Sequence, residues 1–173
     1  MAENRPLLMR VNRLLGAALV EHNLVKIENL EAANERLLDA VMAGDRRKTS
    51  VLAILAYEMK VVKEEDVLQH LVETEGVGLV ELHNYDMPDD LRKSIDTVDC
   101  WATWTLPFDQ EENFHFVATA HLLSPAVRAH WQKKLGGQIL WYGTTLEVIA
   151  DSLEKIDTER TQLAGLTQAA SAN

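Results

Sequence analysis

The chain has 173 residues and a mass of 19.5 kDa, with 47% apolar and 25% charged residues, a globular composition that excludes collagen-like, disordered and supercharged chains. At this length folding buries roughly 70% of the extended-chain surface, which suits one domain or two small ones packed together. Against 17 basic residues stand 27 acidic ones, a formal charge of -10, and an even field of that sign repels phosphate backbones and anionic lipid heads, which argues against nucleic acid and membrane surfaces as partners.

A single cysteine, Cys100, permits neither an internal disulfide nor a cysteine-based zinc site, and it reads as a buried small hydrophobe in a reducing compartment. The longest apolar runs, Leu14 to Val20 and Val51 to Tyr57, are far short of the ~20 residues of a membrane-spanning helix. Arg5, Arg10 and Arg13 precede the first run as in a signal peptide. Glu21 and His22 follow it at once, however, with no small-x-small cleavage site, so a cytoplasmic location is expected.

In chain order, the first feature is a repeat. Leu15 to Leu30 aligns without gaps on Leu52 to Val67: Glu21, Val25, Lys26 and Glu28 match Glu58, Val62, Lys63 and Glu65, while Leu24 and Val61 keep the apolar type. Each copy reads as helix, turn, helix. An apolar helix ends near Asn23 or Lys60, and a short apolar plug follows. An acidic helix then opens with Ile27, Glu28 and Asn29, or with Glu64, Glu65 and Asp66, where carboxylates favour the positive end of the helix dipole. Gly44, Asp45, Arg46, Arg47 and Lys48 form a polar hinge between the copies. Residues 6–74 are therefore expected to be a helical subdomain.

Beyond Gly76 and Gly78 the pattern changes. Val77, Leu79, Val80 and Leu82 suit a short extended piece and Pro88, Asp89 and Asp90 start a short helix to about Ile95, so residues 75–98 read as a connector. Trp101 to Phe108 and Phe114 to Ala120 read as strands joined by a polar Asp109 to Asn113 turn. Ser124 and Pro125 are an N-cap and first-turn pair, Val127, Trp131 and Leu135 share one helical face, and Gly136 and Gly137 stop that helix. Gln138 to Tyr142 reads as a third strand. Thr144 and Glu147 have capping-box spacing before Leu146, Ile149, Leu153 and Ile156, a last helix to about Thr158. Residues 99–158 thus read as a ββαβα sheet subdomain and residues 159–173 as a disordered tail. The expected fold class is α+β, a helical bundle of two repeated units followed by a small three-stranded mixed sheet. The strand after Pro125 to Leu135 should run parallel to Phe114 to Ala120 through a right-handed crossover.

Together these features resemble the N-terminal domain of type II secretion and type IV pilus assembly ATPases, the MshEN or GspE-type domain, over most of residues 10–157. Family members carry paired motifs of the form R-L-G-x-x-L-V-x-x-G-L-I ahead of an acidic helix. Leu15, Gly16, Leu19, Val20, Leu24 and Val25 fit the first, and Leu52, Ala53, Val61, Val62, Lys63, Glu64, Glu65 and Asp66 fit the second. Leu106 and Pro107, the Phe114 to Thr119 strand, Ser124 and Pro125, and Leu135 and Gly136 are similar to the family's sheet subdomain.

The resemblance implies a non-enzymatic regulatory or interaction module that docks on a protein of a secretion, pilus or envelope-assembly system, a second copy of the chain being a further candidate partner. Some members bind cyclic di-GMP through the paired motifs, which makes a small-molecule receptor the alternative. The implied ligand positions are Leu14, Leu15, Gly16, Leu19, Val20, Asn23, Leu52, Ala53 and Lys60. Leu14 and Val51 stand where arginines are expected, Asn23 and Lys60 replace glycines before the plug, and Ala53 replaces another. Arg10, Arg13 and Lys48 are candidate substitutes for the lost charge.

Catalytic chemistry is not legible. No segment supplies a G-x-x-x-x-G-K-[ST] phosphate loop, so neither ATP turnover nor a motor domain is expected within these residues. His22, His70, His83, His115, His121 and His130 lie without metal-ligand spacing, and neither a metal nor a cofactor is implied. Ser124 reads as a helix cap rather than a nucleophile. If Trp101 and Trp104 lie on one strand they point to opposite faces, so one is expected in the sheet core and the other either at the contact with the helical half or, as candidates for a partner surface, at a partner or dimer interface. On the neighbouring strand Phe114, Phe116, Ala118 and Ala120 are expected to face the helices, and His115, Val117, Thr119 and His121 to form the open face.

Overall fold

Two helix-turn-helix units open the chain in the computed structural model, which describes residues 4–171. Helix α1 (Arg5–Glu21) starts under Asn4, whose Oδ1 accepts from the Leu7 N–H, with Pro6 in the first turn. Its Leu7, Leu8, Val11, Leu15 and Leu19 form one buried face. Helix α2 (Ile27–Ala43) lays Leu30, Ala33, Leu37 and Val41 into the same core and ends at Gly44, φ 74°. Helices α1 and α2 meet at Gly16, where a Cβ would stand 2.5 Å from Leu30 Cδ1. In the second unit α3 (Val51–Ala53) runs into a π-helical turn, Ile54–Glu58, and α4 (Glu64–His70) into another, Leu71–Glu75. The hinge between the units is docked: it forms a 3-10 turn, Arg46–Lys48, from which Arg47 reaches Asp151 at 2.5 Å and Glu154 at 2.6 Å, and Arg46 reaches Asp157 at 3.0 Å.

The sheet contains β1 (Gly78–Leu79), β2 (Thr105–Glu111), β3 (Phe114–Thr119) and β4 (Gln138–Gly143), in the order β1-β4-β3-β2. Its class is the expected α+β. Strands β2 and β3 form the antiparallel hairpin, and β3 and β4 pair in parallel across α7 (Pro125–Leu135), as expected for a crossover helix. The sheet has four strands instead of three because the short extended piece after Gly76 pairs in parallel with β4. The hairpin turn is shorter than read, Glu112 and Asn113 alone, with Glu112 at φ 53°. Ser124 precedes α7 as expected, but its hydroxyl donates to the Val11 carbonyl at 2.8 Å and does not cap the helix. Helix α8 (Leu146–Ser171) is capped one residue later than expected, Thr145 Oγ1 accepting from the Val148 N–H at 3.2 Å.

Three expectations are corrected. Helix α8 runs on to Ser171 where a disordered tail from residue 159 was expected. Leu146, Ile149, Leu153 and Ile156 anchor its first turns in the core, and a nucleated helix propagates through the alanine- and glutamine-containing segment that follows. Ala172 and Asn173 lie outside the described residues. Trp101 is not in a strand: Asp96 caps a helix α6 (Thr97–Thr103), and Trp104 ends it at φ 50°. Alternation across a strand therefore does not separate the pair. Both rings are buried, 5.8 Å apart edge to face, with Trp104 at the contact with the helical half, the other position expected for one of the pair. Finally, β3 does not divide into a covered and an open face. Phe114 is exposed and Phe116 half-buried, whereas Val117, Ala118, Thr119, Ala120 and His121 are all buried, so exposure changes along the strand.

The two halves are joined by polar contacts. Trp104 Nε1 donates to the Thr49 carbonyl at 3.1 Å, and Trp101 Nε1 to Asp157 at 3.0 Å with Arg46 over its ring. Ser50 Oγ lies 2.8 Å from His121 Nε2 across the junction, and within the helical half Asn12 Oδ1 accepts from the Val51 N–H at 2.8 Å, all four of these residues being buried.

Candidate functional site: the paired repeat turns

The repeat predicts equivalent backbone turns, and the structure makes them. Asn23 has φ 59° and Lys60, 37 positions on, has φ 56°. This left-handed conformation suits glycine, is tolerated by asparagine, and costs a lysine of order 1 kcal/mol. In the first turn the Asn23 N–H donates to Val20 O and the Leu24 N–H to Leu19 O, a Schellman closure of α1. The second is wound wider, with Met59 N–H to Ile54 O and Val61 N–H to Leu55 O, because the π-helical turn places an extra residue in the loop.

Two clefts flank these turns. The first is lined by the apolar Val20, Leu24, Ile27 and Val61 and the polar Asn23, Lys26 and Glu28, so plug residues of both repeats share one surface. Ile27 and Val61 are 49% and 39% exposed. The second cleft is lined by Tyr57, Val62, Lys63, Glu64, Leu68 and Thr145. Glu64 is buried there and accepts from Tyr57 Oη at 2.6 Å and from the Leu146 N–H, the first of α8, at 2.8 Å. Burial pushes the Glu64 carboxyl above its ordinary range despite the two hydrogen bonds that favour its charge. The Tyr57 hydroxyl is raised by desolvation and by this carboxylate.

Of the ligand positions implied by the resemblance, Val20 and Asn23 line the first cleft. Leu15, Gly16, Leu19 and Leu52 are buried in the core, Leu14 and Ala53 are half-buried against it, and Lys60 is exposed at the second turn. Val51, in an expected arginine position, is fully buried. The candidate charge substitutes stay away: Arg10 and Arg13 are exposed on α1, ten and seven residues before Val20, or about 15 and 10 Å along the helix, and Lys48 faces Asp45 at 3.9 Å. Gly16 serves helix packing, and the lysines nearest the clefts are Lys26 and Lys63.

Sequence reasoning missed the buried polar groups. Glu64 read as a solvated helix start, and Ser50 and His121, 71 residues apart, carry no joint spacing signal. The pair has the atoms of a serine–histidine dyad, yet both side chains are fully buried, and burial alone lowers the His121 pKa to about 3. A neutral imidazole sealed from water has no substrate to meet. Among the remaining histidines, His22 and His70 stack edge to face at 4.7 Å where α1 ends beside α4, and His130 sits 2.8 Å from Asp99. Burial works to raise Asp99, but hydrogen bonds from Lys134 and Asn4 prevail and hold its carboxyl below the usual range. Among the described residues no group of three or more histidine, cysteine, aspartate or glutamate side chains is placed to hold a metal ion, and no helix is long and apolar enough to cross a membrane.

Repeated helical units packed with a small mixed sheet are found in α+β domains already solved. The chain has the fold of the N-terminal domain of XpsE, matched in two crystal forms at 18% identity, TM-score 0.52, over 80% of this chain and 90% of that chain, and at 17% identity, TM-score 0.54, over 83% and 94%. MshE, solved with cdg (cyclic di-GMP), matches at 17% identity, TM-score 0.51, over 82% of this chain and 97% of that one. No family model and no curated protein matches the sequence. At these identities the likeness is one of fold, that of an MshEN or GspE N-terminal-type domain.

Proposed function

We propose that the chain is a non-enzymatic docking module of the cytoplasm that binds a protein partner in a secretion, pilus or envelope-assembly context, using the surface around the paired turns. The observation that carries this is the state of the motif positions. The backbone turns are kept, at Asn23 and Lys60, while one expected arginine position holds the fully buried Val51 and the other the half-buried Leu14. What remains open between the turns is an apolar strip, the exposed Ile27 and Val61 beside the half-buried Leu24, suited to another protein's side chains. The binding of cyclic di-GMP by this chain is the less favoured reading, because no guanidinium lines either cleft.

Titration calorimetry and a partner-binding assay test the reading together. Cyclic di-GMP at 100-fold excess should give no saturable heat, and submicromolar affinity would overturn the reading in favour of a nucleotide receptor. Ile27→Lys with Val61→Lys should abolish binding of a partner recovered from cells while leaving the thermal transition in place. Undiminished binding by a folded double variant would remove the paired turns from the docking surface.

A further inference from the structure

The two edges of the sheet are built differently. Strand β2 carries devices that prevent strand addition: Pro107, a register shift between Pro107 and Asp109, the charges of Asp109 and Glu111, and helices α5 (Asp89–Ser94), α6 and α8 packed against it. Strand β4 carries none. Its segment Gln138–Ile139–Leu140–Trp141 has no charge and no proline. On the side away from β3, β1 pairs only with Tyr142 and Gly143. Among the described residues no strand covers the four residues before them, a slot of about 13 Å.

The backbone direction follows from the ladder. The N–H groups of Gln138 and Thr144 donate toward β3, to Asn113 and Thr119, and the Gly143 carbonyl accepts from Val80 on the opposite side. Alternation therefore turns the backbone polar groups of Ile139 and Trp141 to the same side; the parallel register places the Trp141 carbonyl against the Gly78 N–H of β1, and among the described residues the Trp141 N–H and both groups of Ile139 have no strand partner. Beside them Leu140 is 43% exposed and, through its register partner Phe116, shares a sheet face with Phe114, 39% exposed. Acidic residues lie toward both ends of the slot: Glu112 in the hairpin turn, next to Asn113 whose carbonyl accepts from the Gln138 N–H, and Glu73 and Glu75 on the approach to β1, Glu75 being paired with Arg128 at 3.4 Å.

We propose that the open edge of β4 receives an extended segment of a protein partner, apolar at its centre and basic at its ends, which joins the sheet as a strand at Ile139 and Trp141. The unpaired backbone groups require an extended chain, the exposed Leu140 and Phe114 require apolar side chains on it, and the acidic flanks and the net charge of -10 favour a basic segment over a second, equally acidic copy. This inference rests on the docking reading above and places the partner's backbone.

The test is amide hydrogen exchange in the full chain, read at Ile139 and Trp141, with a synthetic nonapeptide that has a Val-Thr-Val-Thr-Val centre and two lysines at each end. The peptide at millimolar concentration should slow both amides at least tenfold. The same peptide N-methylated at alternate residues should slow neither, and Leu140→Lys, at an exposed position, should abolish the protection without shifting the thermal transition. No slowing, or equal slowing by the N-methylated peptide, overturns strand addition. If both amides are already slow in the free chain and quicken on dilution as a dimer dissociates, the occupant is a second copy and the proposal fails. A cell partner that binds in the paired-turn assay without protecting Ile139 and Trp141 refutes the edge site and leaves the docking reading standing.

Discussion

Replacing His121 by glutamine should make the protein less sensitive to acid, and the size of the effect follows from burial. The imidazole is fully buried with Nε2 beside Ser50 Oγ, no partner at Nδ1, and a folded-state pKa of about 3 against 6.5 for the free group. The unfolded chain therefore binds a proton between those two values that the folded chain refuses. His121 leaves stability untouched above pH 6.5 and withdraws it as pH falls toward 3. At pH 5 the loss is about 2 kcal/mol, since each unit of difference is worth about 1.4 kcal/mol. Glutamine cannot titrate, keeps a donor for Ser50, and is expected to cost of order 1 to 2 kcal/mol at every pH through imperfect packing. Urea denaturation followed by tryptophan fluorescence at pH 7.5 and pH 5.0 should show the wild type losing about 2 kcal/mol more than His121→Gln between the two conditions. Equal losses would mean that His121 is hydrated or partnered in solution, and the buried junction described above would be wrong.

Lys60→Gly should raise stability by about 1 kcal/mol by relieving the left-handed backbone, and Asn23→Gly by less, because asparagine tolerates that conformation; chemical denaturation measures both. Glu64→Gln should flatten a second pH dependence of opposite sign. The carboxyl is held above its ordinary range, so its contribution is greatest in acid and declines as pH rises from the free-carboxylate range through the raised folded value, and denaturation midpoints between pH 4 and 7 report it. Arg46→Ala should cost about 1 kcal/mol and increase acrylamide quenching of Trp101, since it removes both the Asp157 pair and the cation over the indole, whereas Arg47→Ala, at a more exposed pair, should cost less and lose its effect in high salt.

Local patterns in the sequence carried most of the fold. The repeat marked two turns whose left-handed residues stand 37 positions apart, and Ser124–Pro125, Gly44 and Gly136 marked helix ends where the structure has them. Apolar periodicity misread Trp101 because a seven-residue helix followed at once by a strand leaves too few turns for a 3.6-residue period to show, and Asp96, its cap, resembled a loop residue. The site was legible where backbone conformation fixed it and illegible where distant side chains met: nothing near Glu64 in sequence announces that it caps α8, 82 positions away.

Those distant meetings bear on how the molecule works as a unit. Ser50 with His121, Asn12 with Val51, Ser124 with Val11, Trp104 with Thr49 and Glu64 with Leu146 each place one partner in residues 6–74 and the other, for all but Asn12 and Val51, in residues 99–158. Parting the halves would strand buried donors and acceptors at a cost of about 1 to 3 kcal/mol each, more than small cores of this size can lose. The helical repeat is therefore expected to need the sheet, although the two follow one another as separate stretches of chain. A partner that engages the paired turns presses on α1 and on the second repeat, whose Glu64 holds the start of α8, and α8 packs on the sheet through β2. The buried hydrogen bonds therefore set how far the halves can shift before the junction opens.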